Sequence, residues 1–146
     1  MLLTWLARRF AVLPRSVSAG AALVWMAVIF WLSSARLNFL PPGVLGSFVG
    51  NAAHAPIYGL LALLLARASG SPVAGLACTV LYGISDEWHQ SFVPGRSSSV
   101  FDLGTDTVGA IAALWSIAPV GERAALWRVL ASATAIALAA GLATLT

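Results

Sequence analysis

The sequence predicts an all-α, polytopic transmembrane bundle of about five helices with its N-terminus inside. Three observations predict it. Hydrophobic residues make up 60% of 146 positions and charged residues only 9%, with a mean hydropathy of +0.90. A soluble domain carries roughly 25% charged residues, so this chain has too little charge to solvate a globular surface. The apolar residues form long unbroken runs, which makes lipid the solvent for most of the surface. Finally, arginine supplies all eight positive charges, and these fall between the runs in an uneven pattern.

The clearest span is Ser16 to Ala35, twenty uncharged residues between Arg15 and Arg36. About 20 such residues cross the hydrocarbon. From Leu37 to Ala66 there is again no charge, but Pro41-Pro42-Gly43 and the polar Asn51 confine the second helix to about Phe48–Ala66. The third runs from Pro72 to Gln90, with proline in the first turn, where its missing N–H has no partner to lose. The fourth runs from Val100 to Ala118 and stops before Pro119. The fifth takes Val129 to Thr146. Its stripe of small residues, including Ala131, Ala135 and Ala139, permits close helix contact within one chain or between two.

Arg8, Arg9, Arg15, Arg67, Arg123 and Arg128 fall on one side of these spans, and Arg36 and Arg96 on the other. The positive-inside rule then puts the N-terminus in the cytoplasm and the C-terminus outside. The net charge of +3 reads as topology. It gives no nucleic-acid footprint, since the positive charges are split among short loops. Arg8-Arg9, the apolar run and Ser33-Ser34-Ala35 resemble a secretion signal, but the run is longer than a typical signal core, and a retained anchor is expected. Met1 to Leu13 suits a short interfacial helix. Cys78 stands alone in the third helix, which excludes an intramolecular disulfide and a cysteine metal site.

Four of the five acids, Asp86, Glu87, Asp102 and Asp106, fall within twenty-one residues, with His89, Gln90 and Arg96 among them. The topology puts this stretch on the outer side, together with Asn51 and His54 at the start of the second helix. Helical spacing places Asp86 on one face with Tyr82, His89 and Gln90, and His54 on one face with Asn51 and Tyr58. Asp102 and Asp106 share a stripe with Gly109 and Ala113, small residues that admit a neighbouring helix and turn the carboxylates into the bundle. Plainer readings stand beside these. Ser99-Val100-Phe101-Asp102 fits a capping box, with Asp102 reaching back to the Ser99 N–H. Arg96 fits a pair with Asp86 or Glu87. Glu87, about 100° around the helix from Asp86, fits a water-facing position. The tryptophans fit lipid-facing and belt positions.

His54-Ala55-Pro56-Ile57-Tyr58-Gly59-Leu60, then Asp86-Glu87-Trp88-His89-Gln90-Ser91-Phe92-Val93-Pro94-Gly95-Arg96, then Asp102, Asp106 and Gly109 together resemble the signature of the VanZ-like membrane proteins. The resemblance spans about Asn51 to Ala113 and implies one VanZ-like transmembrane domain over residues 1–146 in the cell membrane. That family often has a basic residue near the position of Asn51, and asparagine where this chain has Asp106. The resemblance implies an association with resistance to glycopeptides such as teicoplanin, which act on cell-wall precursors outside the membrane. It carries over no reaction.

Two functions fit these residues. One is an enzyme at the outer leaflet acting on a lipid-linked or cell-envelope precursor. His54, Asp86 or Glu87 would serve as acid or base, Arg96 would hold a phosphate, and Tyr58, His89, Gln90, Asp102 and Asp106 would complete the substrate site. The other is a non-catalytic module that binds a lipid head group, an antibiotic or a partner protein. Four carboxylates against one arginine repel a phosphate by roughly 1 to 4 kcal/mol per unit-charge pair at 4 Å. A divalent metal such as Mg, Mn or Zn would relieve that repulsion, although no compact ligand motif is present. A small transporter ranks below both, because nothing polar continues toward the inner ends of the helices.

Overall fold

A computed structural model describes residues 12–35, 43–96, 98–117 and 122–145. Among the described residues there are five helices and no strand: α1 (Arg15–Ser34), α2 (Val44–Ser69), α3 (Pro72–Gln90), α4 (Val100–Ile117) and α5 (Glu122–Thr144). The expected interfacial helix at Met1 to Leu13 lies almost wholly outside the described residues, as do Arg36, Pro41 and Pro42, and Pro119.

The helix ends follow from local chemistry. Gly43, at φ 99°, turns the chain into α2, and the Ser47 N–H already bonds the Gly43 carbonyl at 3.1 Å. The second helix thus starts at Val44 rather than Phe48, because Ser47 and Asn51 are helical despite their polarity. It ends on Gly70, in the left-handed conformation at φ 75°, whose N–H returns to the Ala66 carbonyl. Ser71 caps α3 by accepting from the Ala74 N–H at 3.2 Å, and Pro72 occupies the first turn, as the sequence indicates. Helix α5 starts at Glu122 rather than Val129. Its apolar part is Trp127–Thr144, so the charged first turn is a helical extension of the span.

Four helices are long and apolar enough to cross a membrane: α1, α2, α4 and the Trp127–Thr144 part of α5. Helix α3 is not among them, since its last turns carry Asp86, Glu87, His89 and Gln90. It belongs to the bundle because those groups find partners inside. An apolar core around Ala22, Ile29, Tyr58 and Leu61 shares the interior with polar side chains, while large apolar residues also cover the outside. Thr79, Thr105, Asp106 and Ser18 are fully buried, whereas Val73 and Leu138 are 78% and 65% exposed. This is a helical membrane bundle, with large apolar residues on its outer surface and several polar ones inside.

Helix α2 is the hub and packs against all four others. Its seam with α4 is a backbone-to-backbone approach. A Cβ on Gly59 would stand 3.1 Å from Ala113 Cβ and 3.2 Å from the Gly109 carbonyl oxygen, and one on Gly109 would overlap the Ala55 backbone. The small stripe of Gly109 and Ala113 thus has its partner in the same chain. Helix α1 is held differently, by long side chains. Trp25 Nε1 donates to the Ile57 carbonyl at 2.9 Å, and the Tyr82 hydroxyl to the Met26 carbonyl at 2.6 Å. Trp25 is accordingly half-buried, while Trp31, Trp88, Trp115 and Trp127 are exposed as expected. On α5 the buried positions are Ser132 and Ala140, so the stripe from Ala131 through Ala135 faces outward.

The seam yields a direct test. Gly109→Ala should lower stability by about 1–3 kcal/mol through overpacking against Ala55. Gly104→Ala, which meets open space, should stay within about 0.5 kcal/mol of the parent. Reversible unfolding in mixed micelles would show the difference, and equal effects would contradict the packing.

Candidate functional site

The antiparallel course of α1 to α4 brings the ends of α1 and α3 and the starts of α2 and α4 to one end of the bundle. There the residues that the sequence singled out meet. Asp86, in the last turns of α3 and 4% exposed, is the most fully bonded. Its Oδ1 accepts from Ser33 Oγ at 2.6 Å, and its Oδ2 accepts from the Tyr58 hydroxyl and from Gln90 Nε2, both at 2.9 Å. Three polar groups from three helices thus converge on its two oxygens. No cation lies within 4 Å of it among the described residues. One carboxylate thereby joins α1, α2 and α3.

A second pair joins α2 to α4. His54 Nδ1 lies 3.0 Å from Asp106 Oδ1, with the aspartate side chain 3% exposed and the histidine side chain 21% exposed. When Asp106 accepts, the shared proton sits on Nδ1 of a neutral ring and Nε2 carries the lone pair. Nε2 has no hydrogen-bond partner among the described residues. The His54 ring lies parallel to that of Tyr58, centroids 6.3 Å apart, which links this pair to the Asp86 cluster.

Glu87 is buried rather than water-facing, at 8% exposure. Its Oε2 accepts from the Ser99 N–H at 2.7 Å. The expected capping box is thus half right. Ser99 Oγ accepts from the Phe101 N–H at 3.2 Å, but the Ser99 N–H is taken by Glu87 from the neighbouring helix instead of by Asp102. Burial decides this, since Glu87 has no water to turn to. Two carboxylate oxygens here, Glu87 Oε1 and Asp106 Oδ2, are buried without a hydrogen-bond partner. Asp106 Oδ2 looks toward Gly83, where a Cβ would stand 3.6 Å away. Gly83 is one turn before Glu87 on the same face of α3. Asp102 is half-buried and within electrostatic reach of His54 and Arg96.

Arg96 is exposed and forms no ion pair with Asp86 or Glu87. Its Nε donates to the Ser33 carbonyl at 3.2 Å. Those two acids are sequestered by closer neutral donors, which leaves the guanidinium at the rim. His89 turns to α1, 2.9 Å from Ser34 Oγ and stacked on Phe30 at 4.3 Å. Asn51 leaves the cluster altogether and donates from Nδ2 to Thr144 Oγ1 on α5 at 3.2 Å. No three His, Cys, Asp or Glu side chains among the described residues stand together as a metal-holding group.

Sequence reading did not assign Ser33 or the Ser99 backbone to the site. The Ser33-Ser34 pair, at the same depth as the cluster and at the end of an apolar span, was the available signal. It also fitted a cleavage site, and nothing in one sequence separates the two.

The fold and this polar end define the class: a multi-helix membrane bundle with a conjoined acid and imidazole cluster at one end. The chain belongs to the VanZ/LLP1 family, whose model matches residues 17–121 and so covers α1 to α4 and the whole cluster. No curated protein and no solved structure matches the chain.

The bonding around Asp86 makes a prediction. Asp86→Ala strands the buried Tyr58 hydroxyl and the Gln90 amide and should cost about 1–3 kcal/mol of stability. Tyr58→Phe, which removes only one of three donors, should cost about 1 kcal/mol. Thermal melting in detergent checks the order. An Asp86→Ala protein as stable as its parent would show that the cluster does not bond α1, α2 and α3 together.

Proposed function

We propose that this chain is a multi-pass cell-membrane protein whose polar end faces outward and performs acid–base chemistry on a lipid-linked or cell-envelope substrate at the outer leaflet. The observation that carries this reading is the His54–Asp106 pair. A buried carboxylate that fixes Nδ1–H, with Nε2 left free on a partly accessible ring, is the arrangement of an imidazole poised to take and return a proton. Glu87, with Oε1 unpartnered, is the second proton-transfer group. Asp86 is the less suitable base, since both its oxygens are already bonded, and its part is to position Tyr58 and the helix ends. Arg96, pinned through Nε and exposed, offers its remaining N–H groups to a phosphate. The link to glycopeptide tolerance comes from the family, and the outward orientation from the arginine distribution.

A second reading has its own support. Two unpartnered buried carboxylate oxygens beside a third acid suit a cationic ligand without proton transfer. The two readings separate on His54. For catalysis, His54→Asn and Glu87→Gln should each abolish a tolerance phenotype, such as survival in teicoplanin, while membrane abundance and melting stay close to the parent. Arg96→Lys should remain folded and be strongly impaired, because lysine lacks the two-pronged geometry. For a cation-binding module, Glu87→Gln should fail and His54→Asn should not. Full tolerance in His54→Asn would overturn the catalytic reading.

Orientation is tested apart from chemistry. Ser47 and Ser98 are exposed at the polar end. In a Cys78→Ala background, single cysteines at either position should react with an impermeant thiol reagent added to intact cells. Reaction only after lysis would place this end in the cytoplasm.

A further inference from the structure

Helices α1 and α3 do not close on each other. They are joined by side chains, and near the polar end they leave a cleft of about 420 Å³. Its walls are mostly rings, with Phe30 from α1, Tyr82, Trp88 and His89 from α3, and Phe92 just beyond, and Ser85 between them; His89 stacks on one face of Phe30 and leaves the other to the cleft. Trp88 and Phe92 meet edge to face at 5.9 Å, and both are 70% exposed, so the cleft opens sideways through apolar rings into the lipid-facing surface. Asp86 also lines it. As described above, that carboxylate has only neutral donors and no countercharge among the described residues. An anionic group behind several aromatic rings is a cation site, because ring faces and carboxylate both attract positive charge. A bare inorganic cation would forgo the rings. An alkylammonium uses both.

A positive group of the opposite preference stands at the rim. Ser33 bonds Asp86 through its hydroxyl and Arg96 through its carbonyl, so carboxylate and guanidinium lie on two sides of one residue. The free N–H groups of Arg96 suit a phosphate.

We infer that the cleft between α1 and α3 binds the head group of an aminated phospholipid, with the ammonium against the rings of Phe30, Tyr82 and Trp88 on the side of Asp86, which attracts it from behind its own hydrogen bonds, and the phosphate on Arg96. The sideways opening selects a lipid over a soluble amine, since the acyl chains stay in the bilayer while the head group turns in. The aromatic part of this site is distinct from the His54–Asp106 pair and only Arg96 is shared with the proposed catalytic site, so a lipid can dock there whether or not His54 moves a proton.

Native mass spectrometry of the full chain in detergent, titrated with phosphatidylethanolamine or with phosphatidylglycerol, tests the assignment. The parent should retain the ethanolamine lipid in preference to the glycerol lipid. Trp88→Leu and Phe92→Leu, at exposed positions that leave the core intact, should weaken the ethanolamine lipid by roughly threefold to tenfold and leave the glycerol lipid unchanged. Arg96→Gln should weaken both lipids alike. Glycerophosphoethanolamine, the same head group without acyl chains, should compete poorly. Equal binding of the two lipids, or wild-type binding in the ring variants, would overturn the inference. Displacement by the soluble head group at matched concentration would overturn the choice of a lipid. None of these outcomes bears on the tolerance phenotype of His54→Asn.

Discussion

The rest of the polar end depends on one carboxylate. Asp86 lies where a charge facing lipid would be costly, and it is kept there by Ser33, Tyr58 and Gln90 from three directions. Two of the donors also fix something else. Ser33 sets the end of α1 and offers its carbonyl to Arg96, while Tyr58 carries the ring on which His54 stacks. Removing the carboxylate would therefore disturb the helix ends, the imidazole and the guanidinium together. A soluble protein could replace such bonds with water. In a bilayer the alternative to a protein partner is no partner.

Much of this was legible in the sequence, for a physical reason. Lipid as solvent forces long apolar runs, and it makes each polar residue in them an exception that calls for a partner. That is why His54, Asp86 and Asp106 could be gathered to one end from topology alone, and why Gly109 and Ala113 announced a close seam. What was not legible depended on which of several near neighbours wins. Glu87 outcompeted Asp102 for the Ser99 N–H, although Asp102 has the standard spacing, because a buried acid across the helix interface has the stronger need. Asn51 left its helical face-mates for Thr144. Arg96 found a backbone carbonyl rather than an acid. Spacing along one helix says which residues share a face, and it is silent on what the facing helix offers.

The chemistry of the site likewise turns on completeness of bonding rather than on residue type. Three acids of similar sequence context differ in how many of their oxygens are occupied. Asp86 has both engaged, whereas Glu87 and Asp106 each keep one free. Carboxylates that look interchangeable on the page thus fall into a fixed member and two available ones, a distinction that exists only once the helices are packed.

The two kinds of helix contact carry different entropic costs. Gly59, Gly109 and Ala113 have no side-chain rotamers to freeze, so the α2–α4 seam forms without that entropy loss and holds its geometry tightly. The α1–α3 boundary rests on Tyr82, Phe30 and His89, each of which surrenders torsional freedom to stay in place. The imidazole is thus mounted on the seam built from backbone and small residues, and the aromatic cleft opens along the boundary built from rings.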